Sequence, residues 1–433
     1  MKTGLHCISL LLVLGSVGVH GGIITVTTIA DVVAEDGECS LREAIVNANN
    51  DDQSGSTDCE EPFPLLQNVI RFDPSLAGET ITLDNTRLPT VTKRLIIEGP
   101  VAGNPDGLTL NGANASRILQ AEGSKPDAFT LILRNMTLTG GFTIIDGLAA
   151  AGGALRSVNA SLELTGIRVV GNSTQGEFAR GGGIFVADGD LSLTRSVVTN
   201  NQTSGPAAEG GGIALTGGHS ILIDSTISGN QTFGAFAHGG GVRVDAISGF
   251  NHSLINSTVS GNIVHGQDAW GGGLAAGQGV LSLVHSTVAR NLSADGIDGI
   301  AYFPAPTIHP EPPSINFHLM NSLVAQAESG EVACSHLASY YENSRATDIS
   351  CTGSAARFIG LQSLADNGGP TPTHALAANS PAIDAAGDCT ALFDNLQLDV
   401  ADQRGYSRPF GTACDMGAFE FRPDNIFQDR LEQ

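Results

Sequence analysis

Apolar and polar residues alternate in short bursts along most of this chain. "SLELTGIRVV" from Ser161, "LSLTRSVV" from Leu191 and "SILIDSTI" from Ser220 put apolar side chains on nearly every second position. That is the period of a strand with one buried face. Glycine and asparagine punctuate the bursts, and both tolerate the left-handed corner conformations that other residues resist. One stretch breaks the rule. In "ECSLREAIVNAN", Glu38–Asn49, the residues Leu41, Ala44, Ile45 and Ala48 recur at helical spacing. "SLRE" is a capping box, with Ser40 at the helix start and Glu43 reaching back.

The strand-forming part repeats. "ARGGGIFVADGDLSLTRSVVTNN" from Ala179, "AEGGGIALTGGHSILIDSTISGN" from Ala208, "AHGGGVRVDAISGFNHSLINSTVSGN" from Ala237 and "AWGGGLAAGQGVLSLVHSTVARN" from Ala269 align with one another. Their triple glycines start at Gly181, Gly210, Gly239 and Gly271, spaced 29, 29 and 32 residues apart. The closing asparagines Asn201, Asn230, Asn262 and Asn291 keep the rhythm, and the three extra residues fall near "ISGFNHS". Weaker copies begin at Ala151 and Phe129. A fixed period with two or three short strands per unit predicts a parallel β-solenoid whose inward side chains stack one rung above another. The predicted class is therefore all-β, a parallel β-helix with a short N-terminal capping helix and a disulfide-rich C-terminal cap. An open solenoid end exposes apolar core and unpaired strand edges, and the Ser40–Asn49 helix is the expected lid.

The expected boundaries are a signal peptide at 1–21, an N-terminal strand and capping helix at 22–60, repeats at 61–330 and a C-terminal region at 331–433. Lys2 followed by "CISLLLVLGSVGV" reads as the leader, and Cys7 is expected to leave with it. The leader's apolar run is short for a membrane span, and no span is expected in the mature chain. Six cysteines then remain, Cys39, Cys59, Cys334, Cys351, Cys389 and Cys414. An even count in a secreted chain predicts disulfides, and among fifteen pairings the three local ones are simplest.

The end motifs extend this reading. "ADVVAEDGECSLREAIVNANN" resembles the CSLREA segment of secreted or surface bacterial β-helix proteins. "LADNGGPTPTHALAANSPAID" with "DVADQRGYSRPFGTACDMGAFE" resembles the choice-of-anchor Q region of the same proteins. The glycine-rich units are similar to polymorphic outer-membrane-protein repeats, without the Phe of their FxxN motif. The resemblance implies a right-handed β-helix, and handedness is the part that the repeats do not supply. It implies no single activity. Neither a translocator barrel nor a hydrophobic anchor is legible near the C-terminus, so the expectation is secretion or display at the outer cell surface.

The formal charge of −23, with 21 Lys and Arg, excludes a basic footprint for nucleic acid. Candidate chemistry comes from the register. Arg180, Glu209, His238 and Trp270 each precede a triple glycine and should form one column. If they face outward, Glu209 beside His238 is a candidate acid/base pair, and Trp270 offers a face to a sugar ring. Phe178, Phe233, Phe236 and His265 in the adjoining loops would extend that face. The plainer reading is that these corner positions simply meet water, with Arg180–Glu209 a surface ion pair. Asp394, Asp399, Asp402, Asp415 and Glu420, with Arg404 and Arg408, form a second set. Asp399, Asp402 and Asp415 are its candidate calcium ligands, although charge pairs holding a cap, Asp384 included, explain the set more simply. No dedicated cofactor is implied. The leading expectation is a binding or adhesion module whose long side takes a glycan or another surface molecule. The alternatives are a polysaccharide lyase or glycoside hydrolase, and a purely structural surface protein.

Overall fold

The structure, a computed structural model, describes residues 21–423 except 64–66, 101–106, 126–127, 148, 246–248, 278, 304–315, 327–331, 357, 388, 390–391, 394–395 and 398–400. The leader expected at 1–21 and Cys7 thus lie outside the described residues, apart from Gly21. A complete turn consists of four strands, Leu191–Thr194, Val197–Thr199, Gln202–Ser204 and Ile213–Thr216. Their counterparts on successive turns pair in parallel, so the column has four faces, named here first to fourth in that order. The fourth face is an eight-stranded sheet, and the third has six strands. The alternation predicts two or three strands per turn. The third-face strand escapes it because its only fully buried side chain is polar: Thr203 is 0% exposed and its Oγ1 donates to the Ala208 carbonyl at 2.8 Å.

Register makes the core. Leu133, Leu164, Leu193, Leu222, Leu254, Leu283 and Leu319 are direct partners from rung to rung on the first face. Val169, Val198, Ile227, Val259, Val288 and Val324 do the same on the second. Like side chains thus bury one another at the strand spacing of about 4.8 Å, and the whole column is one apolar cluster.

The corners explain the triple glycines. Gly181 has φ +66°, whereas a Cβ on Gly182 would stand 2.3 Å from the Gly211 carbonyl oxygen of the next rung. The first glycine is therefore required for conformation and the second for close approach. The triple glycines lie one above another, with Gly182 N–H donating to Gly210 O and Gly211 N–H to Gly239 O, both at 3.1 Å. Opposite them runs a buried asparagine ladder. Asn172, Asn201, Asn230, Asn262 and Asn291 are all 0% exposed. Each of the first four donates from Nδ2 to Oδ1 of the next at 2.9 Å. A second ladder of Ser196, Ser225, Ser257 and Ser286 hydroxyls accepts backbone N–H groups between the first and second faces.

The helix Leu41–Asn50 covers the first rung. Its capping box is formed, with Ser40 accepting from Glu43 N at 3.2 Å and Ser40 N donating to Glu43 Oε2 at 2.8 Å. Leu41, Ala44 and Ile45 are buried with Ile24, Val26 and Ile70 of the first strands. The disulfides are Cys39–Cys59, Cys334–Cys351 and Cys389–Cys414, the three local pairs.

The C-terminal lobe covers more than an end. Ile359, Leu376, Met416 and Phe419 pack on Ala289, Leu323 and Ala325 of the second face. Thr226 Oγ1 donates to Pro372 O and Thr258 Oγ1 to Gln403 Oε1, both at 2.6 Å, and Asn256 Nδ2 donates to Ala401 O at 2.9 Å. The lobe therefore folds back along the flank of the column. The small hydroxyl residues on the outer side of that face give it hydrogen-bonding groups to dock on.

Candidate functional site

The loops joining the third face to the fourth alternate sharply in environment. Phe178 and Phe236 are 52% and 56% exposed, while Ala179 and Ala237 next to them are 0% exposed. Arg180 and His238 follow, half-buried, folded over the outer surface of the fourth face. The buried alanines pin each loop to the column, so the residues on either side are displayed at fixed rung positions. Phe178 N donates to Pro206 O at 2.9 Å and Phe236 N to Gln267 O at 3.0 Å, which ties both loops to their neighbours.

Both phenylalanines hold the left-handed conformation, at φ 57° and 58°. Ala207 and Asp268 occupy the same corner on the intervening and following rungs at φ 52° and 51°. A bulky side chain in this region costs about 1–2 kcal/mol of backbone strain. Burial compensates neither of them. Being two rungs apart, their corners stand roughly 10 Å from each other. Phe233, on the rung of Phe236, and His265, on the next, each one residue before a loop glycine, stack on each other with ring centroids 4.4 Å apart and planes 5° from parallel.

On the fourth face the column expected from the register is real but splits into two clusters. Glu209, 5% exposed, lies between Arg180 at 3.0 Å and Arg243 at 3.2 Å, and both arginines also approach Asp245, at 3.0 and 3.4 Å. His238 and Trp270 form an aromatic group with Phe303, with centroids 4.5 to 5.7 Å apart. The Arg243 guanidinium lies 5.2 Å over the Phe303 ring and joins the clusters. Glu209 and His238 are not hydrogen-bonded to each other. The carboxylate is held by two guanidiniums. His238 Nδ1 accepts from the backbone N–H of Trp270 at 3.0 Å, and burial, with Arg243 nearby, lowers its pKa to about 4. At neutral pH it is an uncharged ring against aromatic neighbours. The Arg180–Glu209 pair is partly buried within a four-residue charge cluster, not an isolated surface pair.

Arg243, Asp245 and Phe303 were not among the residues singled out from sequence. The signal for the first two was present: Arg243 takes the register position of Phe185 and Ala214, and Asp245 that of Ala187 and Thr216. Phe303 lies beyond the last triple glycine, where the alignment ends.

The acidic C-terminal set forms a buried ion network. Asp402 accepts from Arg404 at 2.7 and 2.9 Å, and Glu420 pairs with Arg408 at 3.1 Å. Arg404 also lies 3.6 Å over the Phe419 ring. Asp415 accepts from the backbone of Asp384 and Phe421, and Asp384 accepts from Ala413 N at 3.0 Å. Desolvation raises the Asp415 pKa to about 6. Asp402 and Asp415 are thus occupied by internal partners. No group of three or more His, Cys, Asp or Glu among the described residues is arranged to hold a metal ion. Asp394 and Asp399 lie outside the described residues.

No protein-family model matches this chain, and no curated protein matches it in sequence. Among solved structures it is similar to the crystal structure of pectate lyase Pel9A, with a TM-score of 0.42 and 12% identity, over 92% of this chain and 96% of that one. The fold rests on the strand registers, and no family follows from the match. Three disulfides suit an oxidising, non-cytoplasmic compartment. No helix among the described residues is long and apolar enough to cross a membrane.

Proposed function

We propose that this chain is a secreted or envelope-associated interaction module that binds an extended glycan along the edge between its third and fourth faces. One observation carries the reading: Phe178 and Phe236 are exposed, strained and in register on alternate rungs. Two side chains that cost stability and bury little are expected where an outside partner covers them. The stacked Phe233–His265 pair and the Trp270–Phe303 group widen the strip, and the charge cluster at Glu209 supplies polar groups beside it. The rung spacing gives these rings the periodic order that a repeating polymer requires. The separate engagement of Glu209 and His238 favours binding over turnover at this place. The CSLREA-like and choice-of-anchor-like ends support an extracellular, right-handed member of that group.

Replacing both Phe178 and Phe236 by Gly tests the reading. The variant should melt at the same or a higher temperature than the parent, because glycine relieves the strained corners. Retention on the glycan that the parent binds best in an array should fall at least about tenfold, a change of about 1.4 kcal/mol. A variant that melts unchanged and binds every glycan as the parent does removes the proposal.

A further inference from the structure

A groove of about 320 Å³ lies on another part of the molecule, between the corner after the second face and the C-terminal hairpin. Thr199, Ser228 and Ser260 line its column side, on successive rungs, with the Thr199 and Ser228 hydroxyls 3.1 Å apart. His374 and Arg290 also line it, and Leu364 is its one large apolar side chain. The hairpin strands Leu361–Ala365 and Thr373–Leu376 hold His374 in place.

His374 Nδ1 lies 2.7 Å from the Gln362 carbonyl oxygen, and its Nε2 lies 2.7 Å from Ser260 Oγ. A carbonyl oxygen only accepts, so Nδ1 carries the proton. Nε2 therefore presents its lone pair and takes the Ser260 hydroxyl proton in the hydrogen bond. This is the geometry of a nucleophile, a base and a group that orients the base. Burial, with Arg290 nearby, lowers the His374 pKa to about 4, so the ring is neutral at ordinary pH.

A docking role alone does not account for the setting. Thr258–Gln403 and Thr226–Pro372 join the same lobe to the same face through equally short bonds, yet none of those four residues lines the groove. Ser260 and His374, 3% and 1% exposed, line the groove's wall together with Arg290, whose guanidinium is held by Leu361 O and Ser363 Oγ of the hairpin.

We propose that Ser260 and His374 form a hydrolytic site for small O-acyl esters carried on a polyhydroxylated polymer. Ser260 Oγ attacks the ester carbonyl carbon as its proton passes to His374 Nε2, and the carbonyl oxygen takes the negative charge facing Arg290. Collapse breaks the bond to the carrier oxygen, which leaves with the proton from His374. Water then attacks the acyl-serine, giving up a proton to His374, and the free acid departs as Ser260 is restored. The polar lining and a single leucine fit a short acyl group, and the aligned hydroxyls fit a carrier rich in hydroxyl groups. This site is independent of the aromatic strip.

The test uses the full mature chain with 4-nitrophenyl acetate and an organic fluorophosphonate, the adduct being located by peptide mass spectrometry. The expected adduct is on Ser260. Ser260→Ala should abolish both adduct and turnover, and His374→Gln should lower turnover by about 100-fold or more. Thr258→Val removes a neighbouring docking bond without touching the pair, and should keep turnover. Absence of a Ser260 adduct in the folded parent overturns the proposal. So does a Thr258→Val chain that loses turnover as fully as Ser260→Ala, which would reduce the pair to a docking contact.

Discussion

Replacing Asn230 by Asp should destabilise the middle of the column more than replacing it by Ala, although Asp is nearly the same size. Asn230 uses both sides of its amide. Oδ1 accepts from Asn201 N at 3.0 Å and Asn201 Nδ2 at 2.9 Å. Nδ2 donates to Val198 O at 3.0 Å and Asn262 Oδ1 at 2.9 Å. Alanine takes their side-chain partner from Asn201 N and Val198 O at a site with 0% exposure, at a cost of about 1–3 kcal/mol for each group stranded, while Asn201 Nδ2 keeps Val169 O and Asn262 Oδ1 keeps the backbone N–H of residue 230. Aspartate adds a worse fault, because an oxygen then faces the Val198 and Asn262 oxygens inside the protein. Either substitution should cost about 3 kcal/mol or more. A solenoid transmits stability between nearest neighbours, so the damage should be local. Hydrogen exchange should accelerate most for amides of residues 197–204, 226–233 and 258–264, flanking the lesion. A loss of protection no larger than that of a surface control such as Gln202→Ala would show that the ladder is a passive consequence of the turns.

The ladder also shows what the sequence made legible. The spacing from asparagine to triple glycine was readable because both ends meet hard constraints: an amide must serve two rungs at once, and a Cβ on Gly182 would strike the next chain. The leucine and valine columns were readable because inward side chains on a pleated strand alternate. The helix was readable from its capping box, since Ser40 and Glu43 satisfy each other locally. Features that depend on distant contact were not. Thr258 and Gln403 are 145 residues apart, and nothing in either segment announces that they meet. The lobe's course along the second face, and the groove with Ser260 and His374, depend on such contacts. The third-face strand was missed for the opposite reason: its local pattern, Gln202–Thr203–Ser204, is polar throughout. Register brings Arg180, Glu209, His238 and Trp270 to one column, but register alone does not say which partners a side chain selects. Glu209 lies between arginines of the rungs on either side, and His238 joins the aromatics.

Acid should loosen the protein well before its carboxylates as a group are neutralised, and the C-terminal lobe should detach first. Burial lowers the pKa of His252 and His374 to about 4 and that of His285 to about 3, from an ordinary 6.5. Below pH 6.5 the unfolded chain binds protons at these rings while the folded chain does not, so stability falls as pH falls. The loss runs from about pH 6.5 to about 4, and for His252 and His374 it reaches on the order of 3 kcal/mol apiece. Asp415 works in the other direction. Its pKa is raised to about 6 from 3.8, so its burial penalty fades as pH falls through that window, and one such group offsets only part of the histidine loss. Location decides the order of events. His252 is inside the column, with its Nδ1 2.9 Å from Ser220 Oγ. His374 lies at the seam between column and lobe, bonded to Ser260, and His285 on the column lies against Arg408 and the Cys389 and Asp415 backbone of the lobe. Protonating the last two places charge at the seam and takes from His374 the lone pair that accepts the Ser260 hydroxyl. The melting temperature should therefore drop steeply between pH 6 and 4, and limited proteolysis at pH 4.5 should cut the lobe before the repeats. His374→Gln should flatten part of that slope, because Gln carries no proton to gain. A melting temperature that stays level from pH 7 to 4 would mean that these imidazoles titrate as they do in water, and that the seam is not closed as the packing around them describes.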